Sequence, residues 1–267
     1  MTLSNLSVPC RTLPSPSTTL DSSKPGWTDL ASAHFHAPHV VESAATAVVL
    51  DQRFAVVAVI EPFREPDLGF DLDFDFAGEK DEIGKTRTRL ESVFGDLGLI
   101  IHDQSKAAPQ YFLKYEAHEG TRNTIKIDVS FPPPKANTYE QKRFHEIDRI
   151  IMCQTIETMM ANKLVALMDR YEHNEAIAGR DLYDIHHFFL KGYRYNKEVI
   201  RERTGKGAKQ FFSDLTAFIR KHITDEIINQ DLNTLLPYDK FSRIRKILKQ
   251  ETLMFLRDEQ QRIGQET

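Results

Sequence analysis

A chain of 267 residues is long enough to bury a sizeable core, as one large domain or two small ones. Its formal net charge of −4, with 28% charged and 40% hydrophobic residues, is ordinary for a globular protein and excludes the global basic field of a nucleic-acid coat protein. Two distant cysteines, Cys10 and Cys153, make neither a disulfide framework nor a zinc site and point to a reducing, cytoplasmic setting; no membrane span or signal peptide is expected, since the longest apolar region, 44–60, is broken by Asp51, Gln52 and Arg53.

Residues 1–44 are rich in Ser, Thr and Pro and are expected to be poorly ordered. Two short apolar runs follow, 45–50 and 54–60, which fit strands or one interrupted helix; periodicity does not decide. Pro62 and Pro66 then punctuate the chain. Residues 70–76 alternate strictly and predict a strand. A helix is predicted over 80–97, with Ile83, Leu90, Val93, Phe94 and Leu97 on its apolar face and Gly98 as its stop. Strands are predicted at 99–102, 111–116 and 124–131, the last ended by Pro132-Pro133-Pro134. From Thr155 onward helical periods dominate, at 156–171, 182–191, 196–203, 208–221 and 240–259. The fold class is therefore α+β: an α/β domain over 45–140 and a helical C-terminal domain over 141–267.

Alternation across the strand at 70–76 puts Leu72, Phe74 and Phe76 on one face and Asp71, Asp73 and Asp75 on the other. Aspartate is disfavoured in strands, and three like charges on one face repel, so a compensating cation is expected. Hard oxygen ligands suit Mg2+ or Mn2+. The strand at 124–131 has the same design, with Ile125, Ile127, Val129 and Phe131 inward and Lys126, Asp128 and Ser130 outward. If the strands are neighbours, Asp128 joins Asp71 and Asp73 as a metal ligand, an arrangement suited to two-metal phosphoryl transfer. A solvated acidic strand face is the alternative.

Lys163 sits inside the apolar stripe of the 156–171 helix, beside Met159 and Met160. It must snorkel, pair with an acid, or face a cleft, where it would neutralise phosphate charge. Arg180, Asp181 and Asp184 open the next helix; Asp181 is either a helix N-cap or the acceptor that positions Lys163. A basic segment, 191–209, with Tyr193 and Tyr195 interleaved, could contact RNA or nucleotide phosphates, as could the cluster Arg243, Arg245, Lys246 and Lys249; each is equally a solvated helix face.

Three stretches carry a resemblance: Phe70-Asp71-Leu72-Asp73-Phe74, Ile125-Lys126-Ile127-Asp128-Val129, and Ala161-Asn162-Lys163-Leu164 with Gly179-Arg180-Asp181-Leu182-Tyr183-Asp184. Together they are similar to the AbiEii/AbiGii toxin family of nucleotidyltransferases, including the MenT-like enzymes. The resemblance implies a DNA-polymerase-β-like nucleotidyltransferase domain, with a mixed sheet and flanking helices, followed by a helical domain. It implies catalytic roles for Asp71, Asp73, Lys163 and Asp181, and nucleotide contacts from Lys163, Arg180 and Asp184. It further implies a nucleoside triphosphate substrate, an RNA acceptor such as transfer RNA, and a cognate antitoxin. The family's Gly-Gly or Gly-Ser turn upstream of the aspartate pair has no counterpart, since only Gly26 and Gly69 precede Asp71. That departure keeps two alternatives in view: a non-catalytic binding module of the same fold, or a metal-dependent phosphohydrolase or nuclease.

Overall fold

A computed structural model describes residues 54–56, 70–116, 123–144 and 149–265, with the backbone alone at Val56, Phe70, Asp71, Phe144 and Arg149. The segment 1–44 and the apolar run 45–50 lie outside the described residues, so their expected character is not addressed. Strand β1 (Phe54–Val56) is the described start of the second apolar run, and it lies in a sheet. Strand β2 (Phe70–Phe76) is the alternating run and holds the middle position. After a 3-10 turn at Lys80–Glu82, helix α1 (Ile83–Asp96) leads to β3 (Ile100–Gln104), β4 (Tyr111–Lys114) and β5 (Thr124–Ser130). Two further strands, β6 (Tyr139–Phe144) and β7 (Arg149–Gln154), complete a seven-stranded sheet of order β3-β4-β5-β2-β1-β7-β6.

The pairing is mixed, with β2 parallel to β5 and antiparallel to β1. One face is apolar. Phe54, Phe74, Phe76, Tyr111, Ile125 and Ile127 are buried there, with Leu90 and Phe94 of α1 in the same cluster. Each such side chain contributes about 1.5–3 kcal/mol when fully buried, and this fixes the register, because a one-residue slip would turn the phenylalanines outward. The β2–β5 register sets Asp71 beside Lys126, Asp73 beside Asp128 and Asp75 beside Ser130, all on the opposite face.

Strands β6 and β7 were not predicted, and they carry the sheet past the residue-140 boundary to Gln154. The edge strand β6 pairs with one neighbour only and is largely polar, so it shows no inward set. In β7 the outward Ile150 and Met152 are as apolar as the inward Ile151 and Cys153, which hides the alternation.

The helical part comprises α2 (Ile156–Asn174), α3 (Gly179–Leu190), α4 (Lys197–Thr204), α5 (Ala208–His222), α6 (Asp225–Leu232), α7 (Tyr238–Ile244) and α8 (Leu248–Gln265). Its core gathers Leu164, Leu182, Val199, Phe211, Phe212 and Leu256. The predicted helix 240–259 is two helices; Ile244 and Leu248 are four apart, so the apolar spacing runs straight across the break. Helix α6 was not predicted; Thr224 caps it by accepting from the Ile227 N–H. Among the described residues no helix is long and apolar enough to cross a membrane.

Candidate functional site

The polar face of β2 looks onto a cleft of about 800 Å3 whose far wall is helical. Asp73 and Asp75 line it from the sheet. Asp71 shares their strand face by alternation, but its side chain lies outside the described ones. Asp75 is buried, and its Oδ2 accepts from Asn137 Nδ2 at 2.9 Å, Tyr139 Oη at 2.8 Å and Gln154 Nε2 at 2.6 Å. Burial, together with the Asp75 carboxylate, pushes the Tyr139 hydroxyl well above its usual range.

Helix α2 supplies the opposite wall. Thr155 caps it, its side-chain oxygen accepting from the Thr158 N–H, and Met160, Leu164 and Leu167 bury one stripe. Lys163, flanking that stripe, turns into the cleft and pairs with Asp184 Oδ2 at 2.9 Å and Asp181 Oδ1 at 3.4 Å. Burial alone would lower the Lys163 ammonium. The carboxylates of Asp184, Asp181 and Asp73 outweigh it and hold the group above the ordinary 10.5. Two turns further along α2, Arg170 Nε approaches Asp181 Oδ2 at 3.3 Å. Asp181 is 1% exposed and so sits between two cations. It stands in the first turn of α3, not at the N-cap, which is Ala178.

Gly179 makes that placement possible. A Cβ there would lie 2.9 Å from the Ile227 carbonyl oxygen and 3.2 Å from the Ile228 Cα, backbone that cannot swing aside. The bare glycine lets α3 start against α6, and its N–H donates to Asp231 Oδ2 at 2.5 Å. Gly179→Ala is therefore expected to cost about 1–3 kcal/mol by overpacking. A thermal unfolding midpoint equal to wild type would contradict this close approach.

The cleft thus collects Asp73, Lys163, Asp181 and Asp184 of the residues expected from sequence. Two others stand elsewhere. Asp128 is in register with Asp73, but its Oδ1 accepts from Gln110 and its Oδ2 pairs with Lys126 Nζ at 2.5 Å, and it does not line the cleft. Arg180 is exposed outside the cleft, because it lies about 100° round the helix from the inward Asp181. Sequence reasoning missed Arg170, though its position seven residues after Lys163 puts it on the same helix face. It also missed the use of Asn137, Gln154 and Asn162, which carry no local signal. From the basic segment, Lys191, Tyr193 and Arg203 line the cleft, whereas Tyr195 is buried with its hydroxyl donating to Glu259. Of the second basic cluster, Lys249 caps the end of α5 through the Ile223 carbonyl at 2.6 Å.

Among the described side chains, which do not include that of Asp71, no three His, Cys, Asp or Glu converge as a metal cage. The donors on the β2 face are carboxylate oxygens alone, which fits a hard divalent cation and not zinc.

Comparison with protein-family models matches residues 70–245 to the nucleotidyl transferase AbiEii toxin family of type IV toxin–antitoxin systems. A crystal structure of a candidate nucleotidyltransferase from H. pylori is similar at 16% identity with a TM-score of 0.55, covering 86% of this chain and 96% of that one. At that identity the likeness concerns the fold, which is accordingly a nucleotidyltransferase fold. A search of curated proteins returns no match. The family match spans well over half of the sequence, and the chain belongs to the AbiEii nucleotidyltransferase toxin family.

Proposed function

We propose that this AbiEii-family chain is a metal-dependent nucleotidyltransferase that moves a nucleotide from a nucleoside triphosphate to an RNA acceptor such as transfer RNA, acting in the cytoplasm as a toxin held in check by a cognate antitoxin. The observation that carries the reading is the meeting of Asp73, Lys163 and Asp181 on one cleft of suitable size. Asp71 and Asp73 would hold Mg2+ or Mn2+. Such an ion would supply charge neutralisation at the reacting phosphate and orientation of the attacking hydroxyl. In the transfer an acceptor hydroxyl gives up its proton to solvent as its oxygen bonds to the α-phosphorus and the bond to the β-phosphate oxygen breaks, releasing pyrophosphate. The chain's own cations meet the charge that shifts toward the leaving group. Lys163 feels the Asp73 carboxylate across the cleft and is held in place by Asp181 and Asp184, and Arg170 and Arg203 line the same cleft. A bidentate guanidinium matches phosphate geometry better than an ammonium does, so these arginines suit the distal phosphates.

Incubation with each labelled nucleoside triphosphate, total RNA and Mg2+ tests this. Label is expected in RNA with wild type and not with Asp73→Ala. Phosphate release or RNA cleavage without labelling would favour a hydrolase using the same carboxylates. Triphosphate binding with no chemistry would favour the binding module suggested by the missing glycine turn.

A further inference from the structure

Asp75 has no part in the chemistry above, yet side chains from three other positions hold it. It is 2% exposed, and three side-chain donors converge on its Oδ2. A carboxylate only accepts, so Asn137 and Gln154 must each turn the NH2 of their amide toward it and the oxygen away. Both oxygens then face Asn162, whose Nδ2 donates to Asn137 Oδ1 at 3.2 Å and to Gln154 Oε1 at 3.3 Å. Those two bonds use both amide hydrogens of Asn162. Its oxygen is thereby turned outward, where it accepts from Arg203 Nη1 at 2.9 Å. Arg203 Nη2 pairs in turn with Asp169 Oδ2 at 2.5 Å. The donor–acceptor sense of the whole relay, from Asp75 to the Arg203 guanidinium, follows from one buried negative charge.

The relay ties together the parts of the cleft that a triphosphate would bridge. Asp75 follows Asp73 by two residues on the same face of β2. Asn162 directly precedes Lys163 on α2. Arg203 lies on α4 and lines the cleft. Its inner members, Asp75, Asn137 and Gln154, are buried, and a break among them leaves buried polar atoms unpaired.

We propose that Asp75 is a positioning residue for nucleotide binding: through Asn137, Gln154 and Asn162 it sets Arg203 and Lys163 at a fixed distance from Asp73. The proposal rests on the nucleotidyltransferase reading of the cleft. It separates two aspartates of one strand face by role, Asp73 toward the metal and Asp75 toward the geometry of the phosphate-binding cations.

The test uses the full chain. Binding of the four nucleoside triphosphates in the presence of Mn2+ is measured by calorimetry, and binding of Mn2+ alone by electron paramagnetic resonance. The proteins are wild type, Asp75→Asn, Asn162→Ala, the double variant and Asp73→Asn. Asp75→Asn and Asn162→Ala are each expected to weaken triphosphate binding about ten- to hundredfold, as displaced contacts do. The double variant is expected to lose no more than about twofold beyond the worse single, as members of one network behave. Mn2+ affinity in Asp75→Asn is expected to stay near wild type while Asp73→Asn loses it. Loss of Mn2+ in Asp75→Asn equal to that in Asp73→Asn would make Asp75 a ligand and overturn the proposal. Unchanged triphosphate binding in either single variant, or independent losses that multiply in the double, would overturn it as well. Should Asp75→Asn not fold, Asn162→Ala decides alone by the same binding criterion. Absence of triphosphate binding by wild type would bring down the nucleotidyltransferase reading and this proposal with it, an outcome distinct from the others.

Discussion

Asp73→Asn is expected to lower nucleotide transfer by about three orders of magnitude or more in kcat/KM while the protein stays folded. The two halves of that expectation come from the two faces of β2. On the inner face Phe74 and Phe76 are buried and anchor the strand whatever stands at 73. On the outer face the asparagine keeps the shape of aspartate but loses the charge that a hard cation requires. Unfolding free energy is expected to change by less than about 1 kcal/mol, because the repulsion relieved beside Asp128, in register, offsets the lost attraction to Lys163. Asp128→Asn makes the internal contrast. Its carboxylate is already engaged by Lys126 and Gln110, so a loss of about tenfold or less is expected there. Rates of label transfer, read beside thermal unfolding, check both. Wild-type transfer by Asp73→Asn would remove the carboxylate face from the mechanism, and equal losses at 73 and 128 would restore Asp128 to the metal set.

How much of this was legible in the sequence depends on how local each signal was. The period-two pattern at 70–76 gave the central strand, its inner face and the row of aspartates, because alternation is a property of a few consecutive residues. The same holds for Lys163, which betrayed itself as a charge within the apolar stripe of α2. Strand β6 left no such trace, since an edge strand with a polar outer side has only one partner to satisfy. The relay from Asp75 to Arg203 was out of reach for a different reason. Four of the bonds that join its members span 62, 79, 25 and 41 residues, so only the folded sheet and helices bring the whole relay together. Asp128 is legible in part. Its strand and register were readable, but the choice of Lys126 and Gln110 as its partners is made by side chains two residues away and on another part of the chain. Arg180 and Asp181 mark the limit in its sharpest form: neighbours in sequence, one exposed and one buried, separated by a single helical step.

Lys163→Met is expected to reduce kcat/KM by about 10²- to 10³-fold and also to destabilise the protein, and the two losses have separable causes. Catalytically the variant removes a cleft cation that the Asp73 carboxylate helps to hold charged. Structurally it strips Asp181 Oδ1 of its donor and leaves the buried carboxylate with Arg170 alone, at 3.3 Å. An uncompensated buried charge costs about 3–5 kcal/mol; with Arg170 still in place, a loss of about 2–3 kcal/mol is expected. The double variant Lys163→Met/Asp181→Asn removes that charge, so stability is expected to return while transfer stays lost. Recovery of transfer in the double variant would show that Lys163 serves only to hold Asp181. The pH dependence follows from the direction of the lysine's shift. Its folded value is raised above 10.5, so the ion-pair stabilisation is fully present below that value and is lost only as pH rises through the folded one. The stability gap between wild type and Lys163→Met is therefore expected to be the same at about pH 6 and about pH 9 and to close only at higher pH. A gap that narrowed between those two values would mean that the ammonium titrates near neutrality, and the carboxylates of Asp184 and Asp181 would then not be the partners that hold it charged.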